Sequence, residues 1–317
     1  MTTLVSHPVL SIVIPTFNEE GNIVPLIGRL NAVMHTLGLS DYEYIFVDDG
    51  SSDRSFVTIL EQRTLDHRVH YIQLSRNFGH QHALKAGLDC AKGAAVISLD
   101  ADLQHPPELI VKMVELWRDG AEVVYTRRQD KNNVSFVKKW TAKAFYWFAN
   151  RLSELPIEEG TADFRLLDRK VVNAIAAYSE SHLFLRGLIP TLGFQQVGFD
   201  YIPDARYSGQ SKYSLAKMLR FAINGITSSS AKPLYFSIYL GLFFAMFAFI
   251  YGCYAVYIAL FTNEAITGWT SLIASVLFIG GIQLITIGIV GIYLGKLFVQ
   301  SKQRPNYIIK DQSLDVC

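Results

Sequence analysis

Between Pro233 and Gly295 the chain has almost no charge; Glu264 is the one formally charged residue. Such a stretch excludes an ordinary solvated surface, where Lys, Glu, Arg and Asp dominate. It divides into apolar runs at 234–261 and 270–295, separated by "TNEAITGW". Each run exceeds the roughly 20 residues that carry a helix across the bilayer hydrocarbon. Lys232 precedes the first run, Lys296, Lys302 and Arg304 follow the second, and the connecting loop has no basic residue. The positive-inside bias then predicts a two-helix hairpin, with residues 1–232 and the tail 296–317 both on the cytoplasmic side.

Other absences narrow the class further. The three cysteines, Cys90, Cys253 and Cys317, are scattered, giving no disulfide framework and no metal knuckle. Twenty-nine basic against twenty-eight acidic residues leave a net charge of +1, so no nucleic-acid partner is expected. The opening "MTTLVSHPVLSIVIP" lacks the basic n-region and cleavage site of a secretory signal. Neither G-x-G-x-x-G nor G-x-x-x-x-G-K-[ST] occurs, which argues against a dinucleotide fold and a P-loop.

Residues 1–232 alternate short β-rich runs with helical periodicity. "VLSIVIP" is followed by Ile23, Leu26, Ile27, Leu30 and Met34 at helical spacing, then by "YEYIFVDD", "VHYIQLS", "AAVISLDAD" and "AEVVYTRR", with helical stretches between them. That alternation predicts a parallel sheet in an α/β domain, whose ligands bind beyond the carboxyl ends of the strands. The five ends are polar: "PTFNEE", "DDGSSD", "SRNFG", "DADLQ" and "TRRQD". Asp100 and Asp102 in "SLDADLQHPPE" are the most informative pair. Asp and Pro there also suit a plain turn. Mg²⁺, however, is held by only one or two carboxylates, with phosphates and waters completing its shell. A sparse acidic pair therefore fits a nucleotide-diphosphate site. Asp48 or Asp49 is a candidate acceptor for the imide N–H of a pyrimidine, with a helix-capping turn as the plainer reading. His80 and His82 have no third ligand in view and are assigned structural roles.

"IPTFNEE", "VDDGSSD", "SRNFGHQHAL", "LDADLQHPPE", "TRRQD", "GTADFRLLDRKVV" and "RYSGQSKYS" together resemble the inverting polyprenyl-phosphate glycosyltransferases of the GT-A fold. The hairpin and the "RPNYIIK" tail are similar too, so the resemblance covers nearly the whole chain. The branch it is most similar to is that of the bactoprenol glucosyltransferases; the dolichol-phosphate mannose synthases are more distant. The resemblance implies a Rossmann-like GT-A domain with interfacial amphipathic helices (135–152 and 211–226) and a C-terminal transmembrane hairpin. It implies that Pro15, Phe17, Glu19, Val47 and Asp49 surround the nucleoside. Asp100, Ala101 and Asp102 would meet ribose, diphosphate and a Mg²⁺ or Mn²⁺ ion, with Gln104 near the metal. Arg127 would contact the donor, and Arg206, Ser211 and Lys212 would bind the lipid phosphate. Asp163 matches an acid of the bactoprenol branch where the mannose synthases have a small hydroxyl residue.

The implied reaction is transfer of a hexose, glucose from UDP-glucose, to undecaprenyl phosphate with inversion, for cell-envelope or O-antigen glycosylation. Mannose, N-acetylhexosamine and aminoarabinose are alternative sugars. Because a phosphate monoester has a second pKa near 6, Asp163 reads as orienting the acceptor or tuning its last proton rather than as an essential base. The implied setting is the bacterial inner membrane, with two crossings and, by analogy, a homotetramer. A processive polysaccharide synthase would need more crossings and a Q-x-x-R-W motif, and a dead-domain adaptor would have lost Asp102, Arg127 or Lys212; neither pattern is met.

Overall fold

The computed structural model describes residues 9–129, 160–180, 184–204, 230–261 and 268–314. They form two compact units: a sheet domain, which also takes in the residues from Gln303 onward, and a helical pair.

The sheet domain begins β1 (Leu10–Thr16), α1 (Glu20–Leu37), β2 (Tyr42–Asp48), α2 (Ser55–Leu65), β3 (Val69–Leu74), α3 (His80–Cys90), β4 (Ala95–Ser98), α4 (Leu109–Arg118) and β5 (Val123–Arg128). There follow β6 (Thr161–Asp168), α5 (Arg169–Ala176), α6 (Leu185–Thr191) and β7 (Gln196–Tyr201). The strand order is β7-β5-β6-β4-β1-β2-β3-β8, where β8 is Ile309–Gln312. β1 and β2 are buried at every position, as expected of strands covered on both faces. One apolar layer joins Ile12, Ile14, Phe46, Ile97 and Phe164 to α1 and α4; the other joins Val13, Val47, Val96 and Leu167 to α3.

The sheet is mixed rather than wholly parallel. β6 runs antiparallel to β4 and β5, and β8 antiparallel to β3. The reversal of β6 has a direct consequence: its first residues, not its last, share a rim with the carboxyl ends of β1 to β5. Composition carries no sign of strand direction, so the residue run "TADFRLL" alone does not disclose this. Between Tyr125 and Arg127 the β5–β6 register shifts, because four steps on β6 (Arg165 to Thr161) answer two on β5. Asp163 lies inside that irregularity, the kind of bulge that re-aims a side chain beside a site.

α3 lies unusually close to the sheet. A Cβ at Gly87 would strike the Val13 and Val47 side chains. This approach holds the first turn of α3 down at the rim.

The helical pair consists of α7 (Lys232–Phe261) and α8 (Trp269–Ser301). Both are long and apolar enough to cross a membrane, over Lys232–Tyr254 and Phe278–Ser301. Phe244 and Phe278 meet edge to face at 5.4 Å, and the Tyr293 hydroxyl donates to the Ser230 carbonyl at 2.7 Å. α8 continues past Gly295 because a single glycine weakens a helix without ending it; the next strong breaker is Pro305.

The tail beyond α8 belongs to the sheet domain. β8 pairs with β3, the Tyr71 N–H donates to Ser313 Oγ at 2.9 Å, and the Tyr307 hydroxyl donates to Asp89 at 2.8 Å. Leu314 is buried. β8 thereby covers the open edge of β3. Cys253 is free, whereas Cys90 is disulfide-bonded, although the scattered spacing gives no disulfide framework.

Candidate active site

The rim is built first by stitching between loops. Asn18, in a left-handed conformation (φ 57°), accepts the Ser52 N–H at 2.8 Å, and its own N–H donates to Ser51 Oγ at 3.0 Å. The Glu19 N–H donates to Ser55 Oγ at 2.8 Å. These bonds tie "PTFNEE" to "DDGSSD". Asp49 is buried and accepts from the Phe78 and Gly79 N–H groups at 2.7 and 2.9 Å, tying β2 to the end of β3. Gly50 sits at φ 71°, where a Cβ would meet the Arg76 backbone at 2.7 Å.

Of the residues assigned to the nucleoside, Phe17 is 45% exposed at the rim and Glu19 is half-buried beside it. Pro15 is buried just beneath. The Val47 side chain is fully buried under α3, so it shapes the floor without facing the rim. Asp49 performs the loop-tying role described above. Asp48 is also buried; it accepts from the Ser51 N–H at 3.3 Å, and its Oδ2 has no hydrogen-bond partner among the described residues. Burial raises both carboxyls above the ordinary aspartate value.

The Asp100–Asp102 turn follows β4. Ala101 is buried, and Asp102 Oδ1 accepts the Gln104 N–H at 3.1 Å. His105 stacks on Phe164 at 5.2 Å, and its Nδ1 accepts the Asp100 N–H at 3.3 Å, which fixes the turn from below. Two partly exposed carboxylates with Gln104 beside them form an oxygen donor set suited to a hard cation that keeps its waters and substrate phosphates. Among the described residues there is no group of three His, Cys, Asp or Glu that could hold a metal, so the site fits only a cation completed by substrate.

The reversed β6 brings Asp163 to this turn. The register Ser98↔Arg165 leaves Asp163 two residues further on, level with Asp100. His80 Nε2 lies 3.4 Å from Asp100 Oδ1 and 3.3 Å from Asp163 Oδ2, bridging the two acids. Gln81 donates to Asp163 Oδ2 at 3.1 Å and accepts the Leu185 N–H at 3.2 Å. Arg186 closes the cluster side-on, Nε to Oδ1 at 2.7 Å and Nη2 to Oδ2 at 2.8 Å. Burial alone would raise the Asp163 pKa, but Arg186 and His80 reverse that and hold it well below the carboxylate range. For His80, burial works against the charge, yet Asp100 and Asp163 prevail and raise the pKa to about 9.

His80 is therefore a site residue that sequence reasoning passed over as structural; the signal available was its place as the first residue of a helix opening on the rim. The sign of the linkage is definite. Its pKa is raised from the ordinary 6.5 of histidine to about 9, so its stabilising contribution is complete below pH ~6.5 and disappears as pH climbs through about 9. In nucleotide-free, chelator-treated protein, Tm should fall across that window, and His80→Gln should flatten the fall. An equally steep fall in the variant would remove His80 from the bridge.

Arg127 and Arg128 take opposite faces of β5, as neighbours on a strand must. Arg127 pairs with its register partner Asp200, Nε to Oδ1 at 2.8 Å, and Gln129 holds the other oxygen at 2.9 Å. Arg128 instead reaches the acidic turn, donating to Gln104 Oε1 at 3.3 Å. Of the two arginines, Arg128 is the one that meets the acidic turn, and Arg127, expected to contact the donor, is paired with Asp200. Arg206, Ser211 and Lys212, and the segments 135–152 and 211–226, lie outside the described residues.

A family model, "Glycosyl transferase family 2", matches residues 11–176, which include the whole acidic turn and Asp163. The chain is 43% identical over 304 residues to "Uncharacterized glycosyltransferase YkcC" of Bacillus subtilis (strain 168), covering 96% of this chain and 94% of that one. It is 39% identical over 303 residues to the "Bactoprenol glucosyl transferase" of Shigella phage SfV, covering 96% and 98%. Among solved structures, the mannosyltransferase PcManGT from Pyrobaculum calidifontis in complex with GDP-Man and Mn²⁺ is similar at 14% identity and a TM-score of 0.46, covering 93% and 87%. With a polar rim of strand ends in place and a match over more than half its length, the chain belongs to glycosyl transferase family 2 and is a glycosyltransferase of the GT-A class.

Proposed function

We propose that the enzyme transfers a hexose, glucose from UDP-glucose, to undecaprenyl phosphate with inversion at the anomeric carbon. The observation that carries this reading is the bridge of His80 between Asp100 and Asp163, in a chain 39% identical to a bactoprenol glucosyl transferase over nearly its whole length. The bridge sets a donor-binding turn and a second acid within one side chain of each other.

A phosphate oxygen of the lipid attacks the anomeric carbon in line, and the nucleoside diphosphate departs. Phe17 and Glu19 flank the nucleoside, and Arg128 faces the departing diphosphate. Arg206, Ser211 and Lys212 supply further phosphate contacts. A Mg²⁺ or Mn²⁺ ion held by Asp100 and Asp102, with Gln104 beside them, would supply charge neutralisation on the diphosphate. No strong base is required, because the acceptor is largely ionised at neutral pH. Asp163, held far below the ordinary range by Arg186 and His80, is correspondingly poor at taking a proton. Alignment and fixed charge carry the rate.

α7 and α8 suit a membrane hairpin. Since the chain after α8 supplies β8 of the sheet, two crossings leave both flanks on one side, which for this donor is the cytoplasm. The inner-membrane setting, the homo-oligomer and the use of the product in envelope or O-antigen glycosylation belong to the same proposal. Purified protein incubated with undecaprenyl phosphate, Mn²⁺ and a panel of labelled UDP- and GDP-sugars should form a lipid-linked hexose most rapidly from UDP-glucose. A different preferred sugar would correct the donor, and no lipid-linked product from any sugar would reject the reading.

A further inference from the structure

Asp163 and Arg186 pose a problem that the transfer chemistry leaves open. Three carboxylates, Asp100, Asp102 and Asp163, gather where a phosphate anion must approach. Asp163 is 4% exposed, so its charge needs a partner, and Arg186 supplies a two-point contact. A buried pair of this kind is weak evidence for stability, since apolar residues of equal volume often serve as well. The arginine, moreover, is not buried with its acid: its side chain remains 39% exposed.

The geometry suggests the reverse dependence, with the acid serving the arginine. Side-on pairing through Nε and Nη2 fixes the guanidinium plane, and Gln81 ties the start of α6 to the same carboxylate through Leu185. Such a plane presents donors in a rigid fork that matches phosphate. Its location is equally specific. Asp163 shares the His80 nitrogen with Asp100, which puts Arg186 one carboxylate away from the donor turn. Tyr201, whose ring lies against His105, is within electrostatic reach of Arg186, Arg128, Asp100 and Asp102 alike. Arg128 stands beside Gln104 of the donor turn, and Arg186 stands on Asp163, one shared histidine away from Asp100 of the same turn.

We propose that Arg186, oriented by Asp163, seats the phosphate of the lipid acceptor, and that Asp163 is a positioning residue for it. This rests on the polyprenyl-phosphate reading above and adds the group that recognises the acceptor. The competing account is that Arg186 only neutralises a buried acid.

The two accounts separate in a paired substitution. Arg186→Ala alone leaves an uncompensated buried charge and is a poor test. In Asp163→Asn/Arg186→Ala that charge is gone, so a counter-ion role would no longer be missed. With the full-length protein in detergent, the KM for undecaprenyl phosphate should rise about 10- to 100-fold relative to Asp163→Asn alone, as expected for losing a charge-assisted contact. The dissociation constant for UDP with Mn²⁺ should stay within about twofold, and Asp163→Asn/Arg186→Lys should recover part of the acceptor affinity. An acceptor KM equal to that of Asp163→Asn would overturn the proposal, as would UDP binding that weakens as much as the acceptor KM. Wild-type protein that binds UDP yet glycosylates no polyprenyl phosphate would reject the underlying function instead, whatever the variants do.

Discussion

Replacing Asp102 with asparagine is expected to lower lipid-linked sugar formation about 100- to 1,000-fold, the scale on which removing a preorganised charge-stabilising group acts. The fold should survive. Asp102 Oδ1 accepts the Gln104 N–H at 3.1 Å, and the amide oxygen of asparagine can accept the same bond, so the turn keeps its shape. On the proposed function, what is lost is the negative charge opposite a cation and the diphosphate it would accompany. Two-carboxylate sites of this type have little redundancy, because waters and substrate fill the remaining positions. Among the described residues no group of three His, Cys, Asp or Glu could hold a metal by itself. Thermal melting of the nucleotide-free variant should match wild type, while turnover is lost at every metal concentration that supports the wild type. Retention of more than a tenth of wild-type turnover would show that the acidic turn is a turn and nothing more.

The contrast between Asp102 and its neighbours shows what the amino-acid order discloses. Strand ends were readable because each apolar run stops at polar residues, and parallel packing then brings β1 to β5 to one rim whatever their exact bounds. The membrane-length helices were readable because near-absence of charge over such a length has few physical explanations. Asp163 was readable only through the resemblance, since its arrival at the rim depends on β6 running backwards and on the irregularity around it. His80 and Arg186 were missed for the same reason. His80 lies in "SRNFGHQHAL" but nothing in that run points it at an acid, and Arg186 lies in none of the runs quoted for the resemblance; they meet on Asp163 because α3 lies close over Val13 and α6 comes after β6 and α5 in the chain. β8 was read as a tail because "IKDQ" is too short and too polar to announce a strand, and only its pairing with β3 makes it one.

The same limit explains the choice between Arg127 and Arg128, and makes that choice testable. Adjacent residues on a strand face opposite sides, so only one of the two can address the donor turn. Sequence does not say over which face of β5 the turn folds. In the structure His105 stacks on Phe164, on the layer that α1 and α4 cover, and Arg128 meets Gln104. On the other face Arg127 already has an acid beside it at 2.8 Å, and that acid, Asp200, is held from both sides. Pulling Arg127 away to contact a diphosphate would leave Asp200 with Gln129 alone in exchange for a pair that is largely solvated. Arg128→Ala should therefore reduce kcat/KM for the nucleotide sugar about 100-fold, in line with losing one cation aimed at developing phosphate charge. Arg127→Ala should cost about fivefold or less, as an exposed ion pair is worth at most ~1 kcal/mol. Steady-state kinetics with the donor varied at saturating lipid phosphate would decide between them. A large loss for Arg127→Ala with a small one for Arg128→Ala would mean that β5 presents its other face to the substrate, and the position of the acidic turn over the sheet would have to be redrawn.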